Sequence, residues 1–351
     1  MYNKSVLRII DENLNRLSEG LRVLEEIARM ILNDSALTER LKALRHDLIR
    51  SDLPFNLRLL DARDSAGDVG SDLKVAGEPV VKDLPLLVIA NSRRIQEALR
   101  VLEEFSKIPD IHAILDSDRF KQARFEIYEL EQKLISRLTR GKKAQKIQGL
   151  YVIVDTGVLN SRDHLEIARQ LIQAGVKTIQ LRDKTTPKKG LIKLAAKLQE
   201  LCRDYNVLFI INDYLDIALA IEADGLHLGQ EDFPIADARR VLPLDSILGC
   251  SVTTVEQALA AQEAGADYVA AGAMYPSSSK DNARVIGPER LHQIKQAISL
   301  PVVAIGGINQ ENVREVLRAG ADSICVISAV LNAPDVTRAA REMIEIIEAE
   351  K

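Results

Sequence analysis

Five short segments in the C-terminal two-thirds of the chain carry the residue types that handle phosphate. The run Gln180-Leu181-Arg182-Asp183-Lys184 spaces an amide and two cations at alternate positions. On a strand, alternate side chains share a face, so Gln180, Arg182 and Lys184 would converge and could hold a polyanion such as a diphosphate. A surface charge cluster is the plainer alternative. Asp213 closes Ile211-Asn212-Asp213, and Asp232 closes Leu228-Gly229-Gln230-Glu231-Asp232. Two carboxylates beside a basic cluster could bind Mg2+ against a diphosphate, with waters completing the octahedron. Asp213 also precedes an apolar run, where a carboxylate could simply cap a helix. Ser277, Ser278, Ser279 and Lys280 put three hydroxyls and an ammonium on one loop, suited to a phosphate ester. Ile305-Gly306-Gly307-Ile308 and Ile327-Ser328 supply paired glycines and a hydroxyl, which would let backbone N–H groups approach a second phosphate at a helix start.

These segments need a scaffold that brings them together. Short apolar runs alternate with amphipathic helical stretches from Gly149 onward, and strands are expected at 149–154, 178–181, 208–211, 225–228, 247–251, 268–271, 302–305 and 324–327. Eight strand-plus-helix units in ~200 residues predict an α/β fold, a (β/α)8 TIM barrel over 149–351. An open doubly wound sheet is the main alternative, but the first strand ends in Val154-Asp155-Thr156-Gly157, which is not the glycine fingerprint of that fold. In a barrel, every segment above falls at the C-terminal end of a strand, where such sites are built. The site would then have two ends: a metal and cation end at strands two to four, and a monophosphate end at strands six to eight. It holds no evident nucleophile–base pair, and His227, on strand four, reads as a core or supporting residue.

Residues 1–140 have a different texture, with apolar residues at helical spacing, as in Leu14, Leu17, Leu21, Leu24, Ile27, Ala28 and Ile31. This mainly α-helical domain repeats itself. Asn13, Arg16, Glu19 and the run Leu-Arg-Val-Leu-Glu-Glu ending at Glu26 recur as Asn91, Arg94, Glu97 and the run ending at Glu104. Gly20 against Ala98 is the break inside the shared stretch, and Lys42 and Arg45 are echoed by Lys121 and Arg124. A duplicated helical hairpin is expected. The paired arginines Arg16/Arg94, Arg22/Arg100 and Arg45/Arg124, with the loop 64–70 between the copies, could line an anion site. Glu–Arg pairing within helices, as between Glu19 and Arg22, accounts for them more simply, and no phosphate loop of the Gly-x-x-x-x-Gly-Lys type is present. The polar, basic stretch 141–148 reads as a linker.

Bulk properties exclude some partners. The 351 residues are enough for two domains, and a net charge of −4 gives no basic footprint for nucleic acid. No stretch approaches the roughly 20 apolar residues of a membrane span. Cys202, Cys250 and Cys325 are scattered and odd in number, fitting neither a disulfide framework nor a zinc site and suiting a reducing cytoplasm. Small phosphorylated molecules are the expected partners, and a homo-oligomer is compatible with the composition.

The motifs at 180–184, 211–213, 223–232, 276–280 and 304–308, in this order and spacing, resemble those of thiamine-phosphate synthase across essentially all of 149–351. The resemblance implies condensation of 4-amino-5-hydroxymethyl-2-methylpyrimidine diphosphate with a hydroxyethylthiazole phosphate, plain or carboxylated, releasing pyrophosphate. It implies that Gln180, Arg182, Lys184, Asn212, Ser251 and Lys280 contact the pyrimidine diphosphate, with Arg182, Lys184 and Lys280 the catalytic cations. Asp213 and Asp232 would bind Mg2+, and Ser277, Ser278, Ser279, Gly307, Ile327 and Ser328 would hold the thiazole phosphate. The implied mechanism is dissociative, with diphosphate leaving before the thiazole nitrogen attacks. There are departures: Tyr214 stands where relatives often carry Arg, and Ser277 and Ser279 where they carry Thr. Thr253 stands where a related thiazole tautomerase relies on His, which favours the synthase reading over the isomerase. A non-catalytic ligand sensor is the third reading, opposed by the retained Asp213, Asp232 and Lys280. More loosely, residues 1–140 resemble a helical extension of some bacterial synthases, sometimes linked to phosphorylation of the hydroxymethylpyrimidine phosphate.

Overall fold

A computed structural model describes residues 4–49, 52–64, 82–276 and 284–350. Contacts divide the chain into two compact units, Met1–Thr139 and Arg140–Lys351.

The first unit is helical, built from α1 (Lys4–Glu26), α2 (Ser35–Leu48), α3 (Leu53–Ala62), α4 (Leu84–Phe105), the short α5 (Pro109–His112) and α6 (Ser117–Ala144), whose last residues belong to the second unit. Asp34, Asp52 and Asp83 cap α2, α3 and α4 by accepting from backbone N–H groups three residues on. Leucines and isoleucines from α1, α2, α3, α4 and α6 share one core. The duplication is visible in bonds as well as in letters. Asn13 donates to the Ile9 carbonyl at 2.7 Å, and Asn91 to the Leu87 carbonyl at 2.9 Å. Gly20 lets α1 and α4 approach: a Cβ there would lie 2.6 Å from Ile95 Cγ1.

Two of the three repeated arginine pairs, Arg22/Arg100 and Arg45/Arg124, surround buried carboxylates, while Arg16 pairs with Glu12 on the surface. Glu25 accepts from Arg22 at 3.3 Å and from Arg45 at 2.9 Å, while Glu103 accepts from Arg100 at 2.9 Å and from Arg124 at 3.0 Å. The pairing therefore runs forward from Arg22 to Glu25 and Glu26 rather than back to Glu19. Of the loop 64–70, all but Asp64 lies outside the described residues.

Burial pushes the Glu103 carboxyl up, but Arg124 and Arg100 outweigh it and hold the group below its ordinary value. A lowered folded-state pKa gives stability that is complete above the unfolded value of about 4.3 and is lost as pH falls through the folded one. Glu103→Ala should therefore cost about 2–3 kcal/mol at pH 7, and the difference from the parent should shrink on acidification. Urea titrations at pH 7 and pH 3 measure both; equal stabilities at pH 7 would contradict the assignment.

The second unit is a closed barrel of eight parallel strands in sequential order. These are β1 (Gly149–Asp155), β2 (Thr178–Arg182), β3 (Leu208–Asn212), β4 (Gly225–Leu228), β5 (Ile247–Val252), β6 (Tyr268–Gly272), β7 (Val302–Ile305) and β8 (Ser323–Val326). Helices follow the strands and cover the outside, their apolar faces packing on outward residues such as Val152, Ile179, Phe209 and Leu226. The inward residues form a separate core that includes Tyr151, Ile153, Leu208, Ile210, Tyr268, Val303 and Cys325. This alternation fixes which residues reach the mouth.

At the opposite end, Asp267 precedes β6. It accepts from Arg140, from Arg239 at 2.6 Å and from the Leu248 N–H at 2.9 Å. The stretch 141–148, expected to be a linker, is largely helical: 141–144 complete α6 and Gln145–Ile147 form a 3-10 turn into β1. No proline interrupts it, and the missing Cβ of Gly141 faces open space, so nothing there stops a helix. Among the described residues, no helix is long and apolar enough to cross a membrane.

Candidate active site

Inward alternation carries Asp155, Arg182, Asn212 and Ser251 to the C-terminal ends of β1, β2, β3 and β5. Arg182 donates to Asp155, a buried carboxylate that also accepts from the Gly157 N–H at 2.9 Å. That pairing fixes one edge of the guanidinium. The next residue, Asp183, faces away from the mouth and is 3% exposed. It accepts from the Thr185 and Thr186 N–H groups, both at 2.8 Å, and so ties down the turn that carries Lys184. Burial works against the ionised Asp183, but these bonds prevail and hold its carboxyl well below the usual range.

Lys184 donates to Asp213. Asp213 sits just past β3 at φ 63°, a left-handed conformation, and its N–H donates to the His227 carbonyl at 2.8 Å. Burial raises the Asp213 carboxyl above its ordinary value; Lys184 opposes the rise and the neighbouring Asp232 adds to it. Asp232 in turn accepts from the Gly229 N–H at 2.7 Å, an approach open to glycine because a Cβ at 229 would lie 2.9 Å from the carboxylate oxygen. Neither aspartate caps a helix, since the caps that follow are Tyr214 and Pro234. Two carboxylates side by side repel, and a cation between them removes the penalty. Among the described residues no cluster of three or more acidic, His or Cys ligands occurs. A two-carboxylate site suits Mg2+, which keeps several waters and takes substrate phosphate oxygens rather than a protein cage.

Gln180 lies one layer deeper than Arg182, 2% exposed, and donates to the Tyr151 hydroxyl at 2.7 Å. Ser251 Oγ meets His227 Nε2 at 2.9 Å. Across the mouth, Gly306 and Gly307 turn the chain after β7 with φ of 103° and 66°. A Cβ at 307 would come within 2.6 Å of the Pro276 carbonyl oxygen. Ile327 and Ser328 begin the short helix Ser328–Leu331 after β8. Ser277, Ser278, Ser279 and Lys280 lie outside the described residues. Thr253 turns its N–H and hydroxyl to Gln257, at 2.8 and 3.0 Å. Beside Tyr214, the Lys188 ammonium lies 5.4 Å from the ring centre.

Among described residues, the structure thus gathers Arg182, Lys184, Asp213 and Asp232 on one side of the mouth and sets Gly307, Ile327 and Ser328 just after β7 and β8. Asp155, Asp183, Tyr151 and Tyr268 play supporting parts that their letters did not announce. The signal for Asp155 was available: it is the inward residue at the end of β1, next to Arg182 in register.

The sequence model of the family described as thiamine monophosphate synthase matches residues 150–330. A thiamine-phosphate synthase from Synechocystis is 37% identical, over 97% of this chain and 96% of its own. The chain belongs to the thiamine-phosphate synthase family. That membership makes it an enzyme of the transferase class. A family member from Rhodopirellula baltica is 38% identical over 99% of this chain and 94% of its own. These full-length relatives share the helical unit as well as the synthase barrel. The solved thiamine phosphate pyrophosphorylase from Pyrococcus furiosus is 42% identical with a TM-score of 0.55, covering 59% of this chain and 98% of its own. A second sequence model, described as the ThiD2 family, matches residues 8–133, within the helical unit.

Proposed function

We propose that the barrel joins an aminopyrimidine methyl diphosphate to a hydroxyethylthiazole phosphate, giving thiamine phosphate and pyrophosphate. The observation that carries this reading is the meeting of Lys184 with the Asp213–Asp232 pair just past β2–β4, with Arg182 at the end of β2 beside Asp155, in a chain of this family. Asp213 and Asp232 would hold Mg2+, which would neutralise charge on the departing diphosphate. Arg182, braced by Asp155, and Lys184 bind the same oxygens. On binding, Lys184 exchanges its contact with Asp213 for the diphosphate, so the ground-state ion pair stores a cation beside the metal ligands. By the resemblance Lys280 would be the third cation, and Asn212 donates from the end of β3.

Bond breaking then leaves positive charge on the pyrimidine methylene carbon, and the thiazole nitrogen captures it. The two glycines after β7 expose backbone N–H groups toward the thiazole phosphate, aided by Ile327 and Ser328 at the helix start after β8 and by the hydroxyls of Ser277, Ser278 and Ser279. Electrostatic support of the leaving group and fixed proximity account for the rate, so no protein nucleophile is needed. The Thr253 hydroxyl is engaged by Gln257, which argues against an isomerase that would use this position as a base.

The test is phosphorus NMR of the full chain with both substrates and Mg2+. The reading expects equal amounts of thiamine phosphate and pyrophosphate; a folded protein that forms neither overturns it. Gly307→Ala should raise KM for the thiazole phosphate about tenfold, because the substitution strains φ and drives a Cβ against Tyr275 and the Pro276 carbonyl, which displaces the turn that presents the backbone N–H groups. An unchanged KM would remove Gly307 from the site. For the helical unit, the resemblance supports phosphorylation of the pyrimidine monophosphate. Thiamine phosphate formed from that monophosphate, ATP and the thiazole would support a kinase, and no product would favour a purely architectural unit.

A further inference from the structure

A line of hydrogen bonds crosses the barrel interior and joins Gln180, one layer below the rim, to Ser251 at the mouth. Gln180 Nε2 donates to Tyr151 Oη at 2.7 Å, and Tyr151 Oη lies 3.1 Å from Tyr268 Oη. Tyr268 Oη lies 2.9 Å from His227 Nδ1, and His227 Nε2 lies 2.9 Å from Ser251 Oγ. The five residues come from β2, β1, β6, β4 and β5, and the first four are less than a tenth exposed. Room for the path is built in: a Cβ at Gly249 would lie 2.1 Å from the Tyr268 ring, so glycine there admits the phenol.

The line has a direction. Burial raises both phenols far above their ordinary values, so each keeps one proton to give. Tyr151 accepts from Gln180, and its own proton has an acceptor in the Tyr268 oxygen. Tyr268 then gives its proton to His227 Nδ1. With the Gln180 amide set so that Nε2 faces Tyr151 and Oε1 points away, the opposite sense at either phenol would leave a buried O–H without an acceptor, which is costly. His227 is therefore the neutral Nε2–H tautomer and donates to Ser251. Ser251, accepting from the imidazole, has its hydroxyl proton left for a ligand. At the far end, Gln180 Oε1 is buried and has no hydrogen-bond partner among the described residues.

We propose that the Gln180–Tyr151–Tyr268–His227–Ser251 line fixes the hydrogen-bond polarity of the mouth, presenting an acceptor at Gln180 and a donor at Ser251. Tyr151, Tyr268 and His227 are positioning residues that act through these two. The pair selects a heteroaromatic ring that offers an N–H to Gln180 and a ring nitrogen to Ser251. This assignment of the ring's recognition rests on the aminopyrimidine reading above; the direction of the line does not.

Nitrogen-15 NMR of the ligand-free full chain at neutral pH, with His227 identified by substitution, reads the direction. The Nε2–H tautomer is expected; the Nδ1–H tautomer or an imidazolium overturns the proposal, whether or not the protein makes thiamine phosphate. Kinetics read the consequence. Tyr268→Phe keeps the ring and should raise KM for the pyrimidine diphosphate about tenfold, one hydrogen bond's worth, while KM for the thiazole phosphate stays within about twofold. Tyr151→Phe combined with Tyr268→Phe should be no worse than the more damaging single change, because one break already interrupts the line. Additive losses, or equal effects on both substrates, would reduce these residues to packing and overturn the proposal. Absence of turnover in the parent protein would instead overturn the aminopyrimidine reading and leave the tautomer result standing.

Discussion

Asp232→Asn is expected to lower kcat about a hundredfold or more while leaving the barrel folded. Asn keeps an oxygen that can accept from the Gly229 N–H, so the local turn should survive. What it loses is charge. The proposed site has two carboxylates, and removing one halves the protein's charge toward a divalent cation whose remaining partners are water and substrate. Asp232 also helps to raise the Asp213 carboxyl, so in the variant Asp213 should move back toward its ordinary range. A raised carboxyl pKa lets protons compete with the cation as pH falls through it, so cation affinity in the parent protein weakens on acidification. In the variant that onset should shift to lower pH, from a weaker starting affinity. Rates at limiting and saturating Mg2+ over a range of pH measure both effects. An unchanged rate at limiting Mg2+ would contradict the metal role.

Asp267→Ala should have the largest effect on stability, about 3–5 kcal/mol. The carboxylate is shared by Arg140, Arg239 and the Leu248 N–H, and both Asp267 and Arg140 are less than a tenth exposed. Truncation removes the carboxylate that a buried guanidinium and a buried N–H share as an acceptor. A loss of this size lowers the barrel's melting temperature by roughly 10 °C or more. Asp267 precedes β6 at the end of the barrel opposite the mouth, where residues serve stability. KM for both substrates should therefore be unchanged in the molecules that remain folded. Calorimetry and kinetics below the transition check the two halves; an unaltered melting temperature would show that the three bonds are replaceable.

The barrel was legible because its strands repeat one pattern and place their polar residues at one end. The eight expected strands match the observed ones within a residue or two, and the extension of β2 and β3 to Arg182 and Asn212 brings those side chains to the rim on the inward face. The aspartates were legible as a pair by position, but not as free of capping; the bend at Asp213, with its left-handed φ, comes from tertiary pairing with β4. Tyr151 and Tyr268 were not legible, because an aromatic in mid-strand reads as core. Their hydroxyls gain meaning only when β1 and β6 face each other across a closed barrel. In the helical unit the duplication was plain, yet the arginines within it could not be sorted between ligand and structure until Glu25 and Glu103 were seen to be buried beneath them. The stretch 141–148 misled because its polarity suggests a loop, while nothing in it terminates a helix.

The central claim is that the mouth divides into a diphosphate end held by Asp213, Asp232, Arg182 and Lys184 and a monophosphate end formed at β7 and β8. Substrate KM values for Asp232→Asn and Gly307→Ala, measured side by side on the full chain with Mg2+ varied, test it most directly. The account predicts that Asp232→Asn raises the requirement for Mg2+ and pyrimidine diphosphate and spares the thiazole phosphate, and that Gly307→Ala does the reverse. Variants that weaken both substrates alike would contradict it.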